Sequence, residues 1–182
     1  MIIPDSIHGE IKIEEPVLLE LTATPAMQRL KDINSNLSGT LIDGQWGNYT
    51  RFEHCIGVMH LIKQFGGHME EQVAGLLHDV SHTAFSHAMD FVFGSEKRQD
   101  FHEINFEKVV FNSSIPKILK NHNYDIKRIG NVKNFSLLEQ EIPALCADRI
   151  DYSLRNFYST KLCDQNQIQK FLSALDKAEK KF

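Results

Sequence analysis

Apolar residues recur along almost the whole chain at helical intervals, and runs that alternate apolar and polar positions are nearly absent. Thr24-Pro25 reads as an N-cap followed by proline at the first helical position, predicting a helix to about Ile33. Thr50 to Glu53 is a capping box, so a helix should run from Arg51 to about Phe65, where Gly66-Gly67 stops it. From Glu70 to about Asp79, Val73, Ala74, Leu76 and Leu77 supply an apolar face, and Ala74 and Gly75 permit close packing. Ser86 to Phe93 reads as a short helix and Gly94 to Arg98 as a polar loop. Asp100 to Glu103 is a second capping box, opening a helix to about Phe111. Shorter helices are expected at Ile115 to Lys120 and Tyr124 to Ile129, with Gly130-Asn131 as a turn. Pro143 should open a helix to about Phe157, and Asp164 with Gln167 caps a last one carrying the stripe Ile168, Phe171, Leu172 and Leu175. Gly39 to Ile42 offers at most half of a small hairpin. There is no internal repeat and no low-complexity linker. The predicted fold is all-α, a compact multi-helix bundle.

Composition narrows the function classes. At 182 residues with 42% apolar and 24% charged side chains, the chain suits one globular domain with a helical tail. Its formal charge of −4 gives no general attraction for a polyphosphate backbone, which disfavours nucleic acid as a partner. No apolar run approaches the roughly 18 residues of a membrane span. Met1 to Glu10 has no secretory pattern, and the widely spaced Cys55, Cys146 and Cys163 suit a reducing cytoplasm.

Histidine departs from this ordinary picture: seven of the nine lie between His54 and His102. Neutral imidazole binds metals and moves protons near pH 7. His78-Asp79 closes a helix whose other face is apolar, and His54 follows Arg51 by three residues, on the same helical face. Asp148 heads a polar stripe with Asp151, Tyr152 and Arg155, too polar for a core-facing side unless it lines a cleft. His54, His78, Asp79 and Asp148 would make an N₂O₂ set from three helices, suited to one divalent transition metal (Mn, Fe, Co, Ni or Zn, with Mg possible) and leaving coordination positions open.

The stretches Tyr49 to Gly57 (YTRFEHCIG), Gly75 to His87 (GLLHDVSHTAFSH) and Ala147 to Tyr152 (ADRIDY) resemble the motifs of HD-domain metal-dependent phosphohydrolases. Asp5 to Gly9 and Thr24 to Leu30 are similar to the deoxynucleoside triphosphate triphosphohydrolase branch. The resemblance covers about residues 5 to 157, implying a single HD domain over 1–182 with a docking helix at about 164–179. It implies that His54, His78, Asp79 and Asp148 bind the metal. It also implies that His82 and Asp90 pair beside the reacting phosphate, that His87 contacts a phosphate oxygen, and that His102 lies across the cleft as a further acid or phosphate contact. Arg51 and Arg149 would neutralise phosphate oxygens with forked donors, and Tyr152 would meet the sugar. His8, His60, His68 and His122 are read as structural or solvent-exposed.

The expected reaction is hydrolysis of a nucleotide, first of all a deoxynucleoside triphosphate. The alternatives are a 5′-monophosphatase of the same fold and a non-catalytic metal-containing nucleotide sensor. A homo-oligomer is compatible with the apolar stripe of the last helix. Three departures from the branch bear on specificity. Ile33 to Ser38 lacks the glutamine expected after Gln28-Arg29-Leu30, Asn156 stands where the branch carries aspartate, and longer relatives have a large C-terminal portion beyond the equivalent of Phe182.

Overall fold

The computed structural model describes residues 1–35, 49–84 and 101–175, and of residues 101–105 the backbone alone. Among them the only paired strands are β1 (Ile2–Asp5) and β2 (Gly9–Lys12), an antiparallel hairpin in the register Ile2↔Lys12 to Asp5↔Gly9. Gly9 takes φ +77°, and Asp5 Oδ1 accepts from the Ile7 and His8 amides at 2.8 and 2.9 Å, closing the turn. Ile7, Ile11 and Ile13 are buried beneath it. The sequence pattern missed this hairpin because its strands are four residues long and carry Pro4, Glu10 and Lys12. The strand signal at 39–42 and the predicted helix at 86–93 with the loop after it lie outside the described residues.

Helix α1 (Pro16–Thr22), also unforeseen, starts on a proline and buries Val17, Leu18 and Leu21. Thr24 caps α2 (Pro25–Gln28) by accepting from the Met27 amide, and the chain then tightens into a 3₁₀ turn over Arg29–Asp32 instead of continuing as one α-helix.

The centre of the molecule is α3 (Arg51–Gln64). Its capping box is complete, with Thr50 accepting from the Glu53 amide and Glu53 accepting from the Thr50 amide. It is buried nearly all round, so its polar residues Arg51 and His54 face the interior along with Phe52, Ile56 and Leu61. Gly66 at φ +70° turns the chain into α4 (Met69–Leu77), which ends two residues earlier than the apolar run suggests, with His78 as its C-cap. Gly75 brings α4 against Ile62 of α3, where a side chain would collide.

Helices α5 (Phe101–Phe111), α6 (Ile115–Asn121) and α7 (Ile126–Ile129), with a 3₁₀ turn at Val132–Asn134, cover one side. Helix α8 spans Ala147–Ser159 and does not begin at Pro143. The amides of Ala147 and Asp148 are spent on the carbonyls of Leu137 and Leu138, which fixes the start of the helix there. Helix α9 (Gln165–Ala174) has the foreseen Asp164–Gln167 capping box, and it buries Ile168 while Phe171 stays 43% exposed. No described helix is long and apolar enough to cross a membrane.

Candidate metal centre

Three helix ends meet beside α3. His54 lies in the first turn of α3, His78 caps the C-terminus of α4 with Asp79 next to it, and Asp148 sits in the first turn of α8, where a carboxylate is favoured by the helix dipole. One ligand atom each from His54, His78 and Asp148 lie within 4.8 Å of one another. His54 Nε2 is 2.9 Å from Asp148 Oδ1, and His78 Nε2 is 3.5 Å from the same oxygen. Asp79 stands beside them, Oδ1 at 3.7 Å from His78 Nε2 and Oδ2 at 3.9 Å from His54 Nε2. Ligands that are each about 2.0–2.2 Å from one ion lie roughly 3–3.5 Å apart, so small adjustments would bring His54, His78 and Asp148 onto it, whereas Asp79 stands outside that group of three, its oxygens facing Arg51 and His82.

The ring orientations fit an ion as well as the distances do. His54 Nδ1 lies 2.7 Å from Asp151 Oδ2, and His78 Nδ1 lies 2.8 Å from the Gly75 carbonyl. A carbonyl oxygen can only accept, so the His78 Nδ1 carries a proton, and in the neutral ring Nε2 holds the lone pair. That Nε2 is buried and makes no hydrogen bond. A buried lone pair aimed at two carboxylates is a ligand position in form, and a second partner on the far ring nitrogen is the usual support of a ligating histidine.

The electrostatics favour a cation. Within the hydrogen-bonded cluster, the carboxylates of Asp5, Asp79, Asp148 and Asp151 outnumber the guanidiniums of Arg51 and Arg155 by two, an excess met by protons on the imidazoles or by an ion that displaces them. Burial disfavours charge on His54, but Asp148 and Asp151 outweigh it and raise its pKa to about 10. His78 is raised as well, burial being overcome by Asp79 and Asp148. Burial raises the Asp79 and Asp148 carboxyls; Arg51, His82 and His78 at Asp79, and His54 and His78 at Asp148, more than reverse this, so both stay ionised.

The remaining predicted residues divide. Arg51 is buried, donates to Asp79 Oδ2, and lines the cleft. His82 is buried with Nε2 3.2 Å from Asp79 Oδ1, and Tyr152 and Asn156 stand on the cleft wall. Arg149 does not itself line the cleft but stands behind its wall, donating to the carbonyls of Ala144 and Gln140 and to Oε1 of Glu139, which does line it. His87 and Asp90 lie outside the described residues. His102 is in the first turn of α5, of which the backbone alone is described.

Sequence reasoning passed over several residues that hold this centre. Arg29 donates to the carbonyls of Val80 and His82 at 2.6 and 2.8 Å, pinning the turn after Asp79. His8, read as structural or exposed, has a completely buried side chain with Nε2 2.7 Å from Asp151 Oδ1. The signal was the combination of Asp5-Ser-Ile-His8 with the buried Asp151, 143 positions apart in sequence.

Comparison with known proteins adds an independent line. The family model described as HD domain matches residues 51–156. The Bacillus subtilis protein YdhJ is 47% identical over 176 residues, which is 96% of this chain and 53% of YdhJ. A Cordyceps militaris protein named metal-dependent phosphohydrolase cns2 is 35% identical over 176 residues, 96% of this chain and 50% of cns2. The deoxynucleoside triphosphate triphosphohydrolase SAMHD1 of Danio rerio is 38% identical over 104 residues, 49% of this chain and 16% of that protein. A crystal structure of a hypothetical protein from Aquifex aeolicus superposes with a TM-score of 0.70 at 25% identity, over all of this chain and 53% of that one. The chain thus spans about half the length of the first curated relatives it matches.

Proposed function

Because this chain belongs to the HD-domain family, we propose that it is a metal-dependent phosphohydrolase acting on a nucleotide, with a deoxynucleoside triphosphate as the first candidate substrate. The observation that carries this reading is the convergence of the His54 and His78 Nε2 atoms on Asp148 Oδ1, with each Nδ1 already engaged elsewhere. The name metal-dependent phosphohydrolase borne by cns2 supports the reaction class, and that of SAMHD1 supports the substrate.

His54, His78, Asp79 and Asp148 would hold the ion. Bound there, it supplies Lewis acidity toward a phosphoryl oxygen and makes water a better nucleophile at neutral pH. Arg51, on the cleft wall, has donors to offer the non-bridging oxygens and so stabilises charge that grows as phosphorus is attacked. His82, with Nε2 against Asp79, is placed to hold a proton for the departing oxygen, an effect worth about 10²–10⁴-fold. Tyr152, 38% exposed on the same wall, is the candidate sugar contact, with Asn156 beside it in the cleft. His87, Asp90 and His102 keep the phosphate-contacting and proton-transfer roles that the motif assigns them. Arg149, paired with Glu139 at the cleft wall, would have to exchange that partner for a phosphate oxygen.

The test is turnover of a panel of deoxynucleotides by the purified chain with Mn²⁺, products separated by ion-exchange chromatography. Tripolyphosphate as the released product supports the triphosphohydrolase. Orthophosphate from monophosphates would replace that substrate with a 5′-monophosphate. Stoichiometric metal in His78→Ala overturns the ligand assignment, and tight nucleotide binding without turnover across Mn²⁺, Fe²⁺, Co²⁺, Ni²⁺ and Mg²⁺ replaces the enzyme with a nucleotide sensor.

A further inference from the structure

Behind the ligand cluster lies a second group of buried charges that the reaction above does not use. Asp151 is completely buried, and its carboxylate is held by three side chains. His54 Nδ1 at 2.7 Å and Arg155 Nε at 2.6 Å meet Oδ2; His8 Nε2 at 2.7 Å and Arg155 Nη2 at 3.2 Å meet Oδ1. Arg155 Nη2 also donates to Asp5 Oδ2 and to the Glu53 carbonyl, both at 2.9 Å. Asp5 and His8 sit at the turn of the β1–β2 hairpin, and the other Asp5 oxygen fixes the amide of His8 itself.

Such a group is costly to bury. Removing an ion from water costs several kcal/mol even after relaxation, and a buried ion pair is weak ground for stability compared with apolar packing. The hairpin already has Ile7, Ile11 and Ile13 to seat it. What the charged group adds is geometric: it occupies both oxygens of Asp151, so the carboxylate cannot turn, and it leaves the His54 ring one hydrogen-bonded orientation. In that orientation Nε2 faces Asp148 Oδ1.

We propose that the hairpin turn is the outer layer of the metal centre: His8, supported by Asp5, is a positioning residue that holds Asp151 so that Asp151 keeps the Nε2 of His54 turned to the ion. The inference rests on the reading of His54 as a ligand. Outer partners of ligating histidines are worth about 10–100-fold in metal affinity, and the same loss is expected here.

The test compares His8→Leu with His8→Gln in the purified full chain. Both replacements fill the space, but only glutamine has an amide N–H to give Asp151 Oδ1. Co²⁺ affinity is read by titrating the visible absorption of the ion, and thermal unfolding without metal is measured in parallel. The expected result is a roughly 10–100-fold weaker affinity in His8→Leu, most of it recovered in His8→Gln, with metal-free midpoints close to each other. Equal Co²⁺ affinity in the two variants overturns the proposal, as does an affinity loss that simply follows the unfolding midpoint. If His8→Leu does not fold, Asp5→Asn takes its place. It retains an oxygen for the turn but loses the charge facing Arg155, and unchanged affinity there is equally fatal. His54→Ala separates the two levels: loss of Co²⁺ in it alongside unaffected His8 variants rejects the outer layer only, while Co²⁺ retained by His54→Ala rejects the ligand reading itself.

Discussion

At the scale of single residues, Arg51 has two roles that oppose each other in the metal-free protein. Its guanidinium is 4% exposed and pairs with Asp79, so it neutralises a carboxylate wanted as a ligand. Removing one partner of a buried pair costs about 3–5 kcal/mol, because the other charge is left uncompensated. Arg51→Ala should therefore lower the metal-free unfolding midpoint sharply. A divalent ion then supplies the missing positive charge, so Mn²⁺ should raise the midpoint of Arg51→Ala by more than it raises the original chain. Differential scanning calorimetry with and without Mn²⁺ checks this, and equal increments in the two proteins would sever Asp79 from the ion. Turnover in the same variant should stay low even at saturating metal, since the donors for phosphoryl oxygens are gone.

At the scale of elements, α3 and α8 approach closely at Gly57. A Cβ there would run into the Asp151 carboxylate and Arg155 Nη2. Gly57→Ala should thus cost more than a simple helix substitution, about 1–3 kcal/mol for the overpacking, with further loss where the buried charges separate. Urea unfolding measures the first part, and Co²⁺ titration should show weakened binding from the second. Arg29 gives the converse case. Among the described residues it donates to the carbonyls of Val80 and His82, so Arg29→Ala should lower kcat through a loosened His82 and leave Co²⁺ affinity nearly unchanged. Equal losses in both would mean that the turn also places Asp79.

Helix α3 also carries a pH dependence on the side away from the cleft. Burial, and then the neighbouring His8, lower the pKa of His60 to about 4, while Asp5 and Asp151 oppose and Lys63 assists. The unfolded chain therefore binds more protons than the folded one between about pH 6.5 and pH 4, so stability falls as the pH drops through that window and is flat above it. Unfolding midpoints measured from pH 7.5 to 4 should decline less in His60→Gln than in the original chain. A parallel decline would remove His60 from the acid response.

What the sequence disclosed about these elements follows from how local each signal is. The capping boxes at Thr50 and Asp164 and the apolar face of α4 are set within a few neighbouring residues, and all three are present in the structure. The start of α8 was misplaced at Pro143 because the bonds that fix it, from Ala147 and Asp148 to Leu137 and Leu138, come from outside the helix. Among the candidate residues, His54, His78 and Asp148, which the structure brings together, were proposed from histidines on largely apolar helices and from the polar stripe that Asp148 heads. His8 was not: it is one histidine on a short strand turn, and its meaning depends on Asp151 far along the chain.

At the scale of the whole molecule, this long-range character makes the centre a junction. His54 meets Asp148 and Asp151 across 94 and 97 positions of sequence, and Arg155 meets Asp5 across 150. The hairpin, α3 and α8 are therefore closed onto one another at the same place, with α4 delivering His78. An ion that binds only when all these parts are assembled stabilises the folded state by mass action, about 2.7 kcal/mol at a concentration one hundred times its Kd. Because the ligands come from separate stretches, the gain should be spread over all of them and not confined to the loops beside the ion. Native-state hydrogen exchange can detect this. On adding Mn²⁺, the slowest amides of α3, α4, α8 and the β1–β2 hairpin should gain protection by a similar factor, and EDTA should remove it from all four together. Protection gained by α3 and α4 but not by the hairpin would show that the hairpin opens independently of the ion, and that its ionic link through Asp151 does not couple it to the centre.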